Sequence, residues 1–201
     1  FLGPSNNSQE EIQEALIDLE PGDILTLKPG EYSFEDGLSL DIDDVIFEGS
    51  GIDETILNFE NQMSGAQGLL VTSNGVTIRD FAVLDAKGDA IKVIGADGIK
   101  MIRLRTEWTG GPKETNGAYG FYPVESKDVL IDGCVAIGAS DAGIYVGQSQ
   151  NIIVKNSIAQ YNVAGIEIEN SFYADVFDNL TSHNTGAVSY THLRAHETLS
   201  Y

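Results

Sequence analysis

The chain has little that could cross-link or divide it. Its 201 residues include one cysteine, Cys134, so no disulfide can form within the chain. That cysteine stands in an apolar stretch, as a small core residue does. No Pro/Ser-rich linker or block of like charge interrupts the sequence, which fits one domain with one core. No apolar run is long enough for a membrane-spanning helix. Basic residues are scarce: 11 Lys and Arg face 31 Asp and Glu, a formal charge of −20. Phosphate binding needs a basic patch, so this balance argues against a nucleic-acid partner. The excess acid is first a solubilising surface. It still leaves room for a locally basic groove holding an anionic polymer.

What the sequence does contain is a repeat. Ala90-Ile91-Lys92-Val93, Gly120-Phe121-Tyr122-Pro123, Gly143-Ile144-Tyr145-Val146 and Gly165-Ile166-Glu167-Ile168 align. So do Val76-Thr77-Ile78, Ile99-Lys100-Met101, Val129-Leu130-Ile131 and Ile152-Ile153-Val154. Asp80, Arg103, Gly133, Asn156 and Asp178 share one turn position, and the steps are 23, 30, 23 and 22 residues. Apolar residues alternate within each unit, which is strand periodicity. Units this short cannot bury their own apolar face, so they stack as a solenoid, with equivalent strands about 4.8 Å apart. The expected fold is therefore all-β, a parallel β-helix with three short strands per coil. A sandwich of antiparallel strands would not need to repeat residue for residue.

The N-terminal part reads as a cap. A helix is expected from Ser8 to Leu19, with Ile12, Ala15, Leu16 and Leu19 on one face and Ser8 and Glu11 at capping-box spacing. "PGDILTLKPGEY" then holds a strand between two Pro-Gly turns, and "GLSLDIDDVIFEGSG" reads as an early coil. Residues 1–8 read as the remnant of a leader, and residues 9–186 as the β-helix. "VSYTHLRAHET" matches a reading frame of a common sequencing adapter, so residues 187–201 are expected to be read-through without inward alternation. His192 and His196 then carry no chemistry, which leaves His183.

The motifs "SQEEIQEALIDLEPGD", "EWTGGPKETNGAYG" and "GASDAGIYVGQSQNIIV" resemble a family of exported bacterial proteins. It belongs to the right-handed parallel β-helix proteins of the pectin-lyase-like superfamily. The resemblance implies a right-handed solenoid and an exported protein: periplasmic, extracellular or an outer-membrane lipoprotein. It also implies a second exported protein as a partner. It assigns no activity. The signature motifs of polygalacturonases, pectate lyases and mannuronan epimerases do not occur in the chain.

Strand alternation locates a candidate site. If Ile91, Val93, Ile144, Val146, Ile166 and Ile168 point inward, then Lys92, Tyr122, Tyr145 and Glu167 form an outward column, one residue per coil. The small residues Ala90, Gly120, Gly143 and Gly165 are expected to leave an open strip beside it. The 30-residue coil carries seven extra residues within "TEWTGGPKETNGA", including Trp108. Insertions in solenoids tend to lie on the binding face. Trp108 is either an exposed sugar platform or a cover folded against the coil. A polysaccharide ligand suits such a strip. A lyase or epimerase acting on an acidic glycan needs a base and a cation for the uronate carboxylate. Lys92, Tyr122, Tyr145 and Glu167 are the catalytic candidates. Arg105 and Lys113 could pair the carboxylate. Asp89, Trp108, Asn116, Asp141, Gln148 and Glu169 complete the binding candidates. Asp89, Asp141, Glu167 and Glu169 could alternatively hold Ca²⁺, although no continuous calcium motif is present. The alternative to an enzyme is a scaffold that binds glycan or a protein partner through the same face.

Overall fold

The computed structural model describes residues 1–191. The chain winds as a right-handed parallel β-helix. Its three sheets have seven strands each, and each coil contributes one strand to every sheet. The first sheet runs from Ile24–Thr26 to Phe172–Phe177, the second from Gly30–Ser33 to Leu180–Ser182, and the third from Leu38–Leu40 to Gly186–Thr191.

The apolar columns read from the repeat lie inside. Val76, Ile78, Ile99, Met101, Val129, Ile131, Ile152 and Val154 are all buried. Ile78, Met101, Ile131 and Val154 sit in register on successive strands. Cys134 is buried among them, and burial pushes its thiol up to about 12. It is therefore a neutral packing residue.

The shared turn position is left-handed. Asp80, Arg103, Gly133, Asn156 and Asp178 have φ between 47° and 65°. Asp, Asn and Gly tolerate this conformation best. Arg103 is the exception, and its guanidinium is tied to Asp80 one coil earlier by two bonds of 2.7 Å.

Corners turn backbone N–H groups inward, away from any sheet partner, and buried N–H groups need acceptors. Three stacked side-chain ladders supply them. Ser149 Oγ accepts from Ser126 N, and Ser171 Oγ from Ser149 N, both at 3.1 Å. Ser157 Oγ accepts from Cys134 N, and Asn179 Oδ1 from Ser157 N. Asn162 Oδ1 accepts from Ala139 N at 2.9 Å, and Asn184 Oδ1 from Asn162 N at 2.8 Å.

The solenoid begins earlier than the repeat. Two full coils precede Val76, and "GLSLDIDDVIFEGSG" spans the end of one and the start of the next. These coils lack the residue-by-residue echo because their interior is filled differently. Tyr32, Phe34, Phe47 and Phe59 are fully buried, with the Phe34 and Phe59 rings stacked at 4.8 Å.

The helix spans Ser8–Ile17, two residues shorter than expected. The expected capping box is not formed. Asn7 is the N-cap, so Ser8 already lies inside the helix. The Ser8 hydroxyl donates to the Ser5 carbonyl, and Glu11 accepts from the Ser5 hydroxyl. Ile12 and Leu16 are buried over the first coil. Gln13 both donates to and accepts from the Ser39 backbone, closing an exposed strand edge.

At the other end, alternation extends further than expected. Val188 and Tyr190 stand in register with Ile166 and Ile168. Both remain more than a third exposed, at 42% and 37%. The rest of the expected read-through segment, 192–201, with His192 and His196, lies outside the described residues.

Candidate functional site

The third sheet places four of the candidate residues as expected. Lys92, Tyr122, Tyr145 and Glu167 are aligned on the strands Asp89–Ile94, Tyr119–Val124, Ala142–Gly147 and Ala164–Glu169. Ile91, Phe121, Ile144, Ile166, Val93, Val146 and Ile168 are fully buried beneath them. The column extends over three strand spacings, about 14 Å.

The small residues beside it do not form an open strip. Positions 120, 143 and 165 face the corner interior rather than solvent. A Cβ on Gly120 would stand 2.5 Å from the buried Thr106 hydroxyl, and one on Gly143 would stand 2.6 Å from Asn162 Nδ2. The glycines allow the coil to bend tightly into the third sheet.

Tyr119, which the repeat did not single out, joins the face. Its ring centroid lies 4.5 Å from that of Tyr122 and 4.7 Å from that of Tyr145, and Tyr122 and Tyr145 meet edge-on at 5.2 Å. The three rings form one half-buried aromatic patch. The signal for Tyr119 was its place just before the aligned Gly120, at the end of the insertion.

Polar groups fix the patch. Lys92 Nζ lies 4.6 Å from the Tyr122 ring centroid, a cation–π geometry, and 3.9 Å from Asp89. The Tyr145 hydroxyl donates to Glu169 at 2.5 Å. Gly147 makes room for that ring, since a Cβ there would stand 2.6 Å from Tyr145 Cε1. Asp141 lies beside the Tyr119 phenol and helps to raise it. The binding candidates Asp89, Asp141 and Glu169 and the catalytic candidate Glu167 therefore edge the tyrosines. Among the described residues, no group of three or more His, Cys, Asp or Glu side chains is arranged to hold a metal ion.

The electrostatics have one direction. Burial, with Asp141 beside it, holds the Tyr119 phenol well above its ordinary value. Burial and the bond to Glu169 do the same for Tyr145. Burial and the charges of Asp89, Glu169 and Glu125 raise Tyr122. All three phenols are thus protonated hydrogen-bond donors at neutral pH. The Glu167 carboxyl is raised by burial and by Asp141 and Glu169, and Asp89 is raised chiefly by burial.

The other candidates lie elsewhere. Arg105 is on the second sheet, 3.3 Å from Glu107 and 3.5 Å from Asp53, so local carboxylates already engage it. Trp108 is no exposed platform: it is 5% exposed and its indole N–H donates to the Ala86 carbonyl at 2.7 Å. It anchors the insertion, which Thr109 also ties to Asp85 by two bonds. Asn116 clasps the same loop by donating to the carbonyls of Gly111 and Gly138. Lys113 stands exposed on the loop between two clefts of about 280 and 330 Å³, neither of which includes a tyrosine of the patch. His183 lines the smaller cleft, stacked on Tyr161 at 4.8 Å. Gln148 is exposed at the corner that leaves the third sheet.

Known structures share the architecture. The catalytic domain of a GH87 alpha-1,3-glucanase in complex with tetrasaccharides aligns with a TM-score of 0.65 and 15% identity over 96% of this chain. The A-module of the Azotobacter vinelandii mannuronan C-5 epimerase AlgE6 aligns at 0.69 and 20% over 99%. A mannuronic acid specific polysaccharide family 6 lyase from human gut microbiota aligns at 0.64 and 13% over 94%. The chain spans 38%, 58% and 52% of those three chains, respectively. At these identities the likeness concerns the fold. Among curated proteins, none matches the sequence. Residues 42–199 match the family described as "Right handed beta helix region". With its three stacked parallel sheets, the chain belongs to that right-handed β-helix family.

Proposed function

We propose that the outer face of the third sheet is a glycan-binding platform. The observation that carries this reading is the trio Tyr119, Tyr122 and Tyr145, held within about a ring's width of one another on a rigid sheet. Aromatic faces receive the C–H faces of sugar rings, and the carboxylates and phenols around them can bond sugar hydroxyls. The patch is fixed by packing, so little order has to be imposed on binding. The three solved neighbours described above are polysaccharide-active by name, which supports a carbohydrate ligand for this fold.

The state of the phenols argues against lysis with Tyr122 or Tyr145 as the base. A lyase working through Tyr122 or Tyr145 needs a base near neutral pH. Burial and the neighbouring carboxylates move both phenols away from that range. The same reading includes export, because glycan polymers of this kind lie outside the cytoplasm, and a second exported protein as a partner on the polymer.

The test is affinity electrophoresis of the chain through gels carrying soluble polysaccharides. The absorbance of unsaturated sugar products is followed in parallel. Retention by a glycan, weakened in Tyr122→Ala and Tyr145→Ala, supports the platform. Product formation abolished by Tyr145→Phe would replace it with a lyase.

A further inference from the structure

We infer that the platform selects uncharged glycans and rejects polyuronates. This rests on the glycan-binding reading above and adds the ligand's chemical class.

The inference comes from the sign of the groups that face the ligand. A uronate chain is held best by a cation at each carboxylate, because desolvating an anion is costly and charge-assisted bonds repay it most. Between Asp89 and Glu169, the four third-sheet strands hold one cation, Lys92, on the strand beside the tyrosines. It is already engaged, with its ammonium between Asp89 and the Tyr122 ring. Arg105 is on another sheet and is held by Glu107 and Asp53. Lys113 lies on the insertion, bordering clefts that do not include the tyrosines.

Carboxylates edge the rings from several sides. Glu167 follows Tyr145 in the column, Glu169 receives the Tyr145 hydroxyl, Asp141 lies beside the Tyr119 phenol, and Asp89 lies beside Lys92. Burial first, then the charges of Asp141 and Glu169, raise the Glu167 carboxyl. An incoming carboxylate would add charge of the same sign at close range and find no free cation. Repulsion of this kind gives specificity by penalising the wrong ligand. An uncharged sugar meets the opposite situation. Its C–H face can lie on a tyrosine ring while its hydroxyls donate to Glu167, Glu169 or Asp141, a charge-assisted bond.

The experiment is calorimetric titration of the 201-residue chain with oligosaccharides of equal length. One set contains neutral gluco-, manno- and galacto-oligosaccharides, and the other mannuronate, guluronate and galacturonate oligomers. The expected result is binding of at least one neutral oligomer, with every uronate oligomer about tenfold weaker or undetectable at low salt. Glu167→Gln should raise the ratio of uronate to neutral affinity several-fold. Glu14→Gln, an equal charge change on the exposed face of the capping helix, should leave that ratio unchanged. A uronate oligomer bound as tightly as the best neutral one overturns the selectivity and leaves the platform standing. An equal shift from Glu14→Gln overturns the local origin of the selectivity, because overall charge would then account for it. Absence of binding by either set overturns the platform and the selectivity together.

Discussion

Trp108 and Tyr122 belong to the same coil, fourteen residues apart, yet they have opposite fates. Trp108 leaves the second sheet at a corner where the chain turns back over its neighbours, and the ring is sealed by the loop it anchors. Tyr122 is on the flat part of the third sheet, where alternation turns every second side chain out. Both are large aromatic residues that could stack on a sugar. The difference is made by backbone position: in a β-helix a corner aromatic is recruited into packing, whereas a mid-strand outward aromatic stays available.

The comparison is tested most strongly by truncation. Trp108→Ala should lower folding stability by about 3–5 kcal/mol, since it removes a buried ring and leaves the Ala86 carbonyl without its donor. Tyr122→Ala should cost much less, because its ring is not enclosed. Urea unfolding of the two variants measures both. Equal losses would abolish the distinction between corner and face.

A second test uses the corner glycines. Gly143→Ala adds a methyl group 2.6 Å from Asn162 Nδ2 and 3.1 Å from Ala136 Cβ. Overpacking of this kind costs about 1–3 kcal/mol. A neutral result by the same urea measurement would restore the open strip expected from sequence.

These corners mark the limit of what the sequence disclosed. Mid-strand positions were legible because a period of two fixes which side chains face inward. Ile144, Val146, Ile166 and Ile168 are buried, and Tyr145 and Glu167 are turned out, as read from alternation. The shared left-handed turn was legible because its residue types reflect a backbone requirement. Corners have no such period. Two successive residues, Gly120 and Phe121, both face inward there, and alternation alone gives no warning of it. The first two coils were read only coarsely, as a strand and an early coil, since a core of Phe and Tyr fills them without repeating the later sequence. Among site residues, Tyr119 was hidden by its corner position, and Arg105 was misplaced because the sequence did not reveal Glu107 and Asp53 as its partners.

Smaller effects separate the roles within the platform. Tyr145→Ala should weaken glycan binding by about 1 kcal/mol, the scale of an aromatic contact. Tyr145→Phe keeps the ring over Gly147 and loses only the bond to Glu169. It should therefore bind nearly as well as the parent chain in the same titration. Equal losses from Phe and Ala would assign the binding to the hydroxyl and remove the stacking surface from the comparison.

The smallest expected effect is on the pH dependence of stability, and it comes from Glu167. Burial and the charges of Asp141 and Glu169 raise its carboxyl above the ordinary value. A carboxyl with a raised folded-state pKa binds its proton more tightly in the native protein than in the unfolded chain. Its ionisation therefore costs stability, and the cost appears as pH rises from the unfolded value through the folded one. Below the ordinary carboxylate range Glu167 is neutral in both states and the cost is absent. Glu167→Gln removes the ionisable group and keeps the shape. The variant should melt at a higher temperature than the parent at pH 7, with the gap closing as pH falls through the carboxylate range. Tyr122, a neighbour on the same face, cannot produce this trend, because its raised phenol stays protonated across that window. A gap that widens toward low pH would mean that Glu167 is stabilised by an unrecognised cation. The acidic character of the face, and its contrast with the sealed corner, would then have to be redrawn.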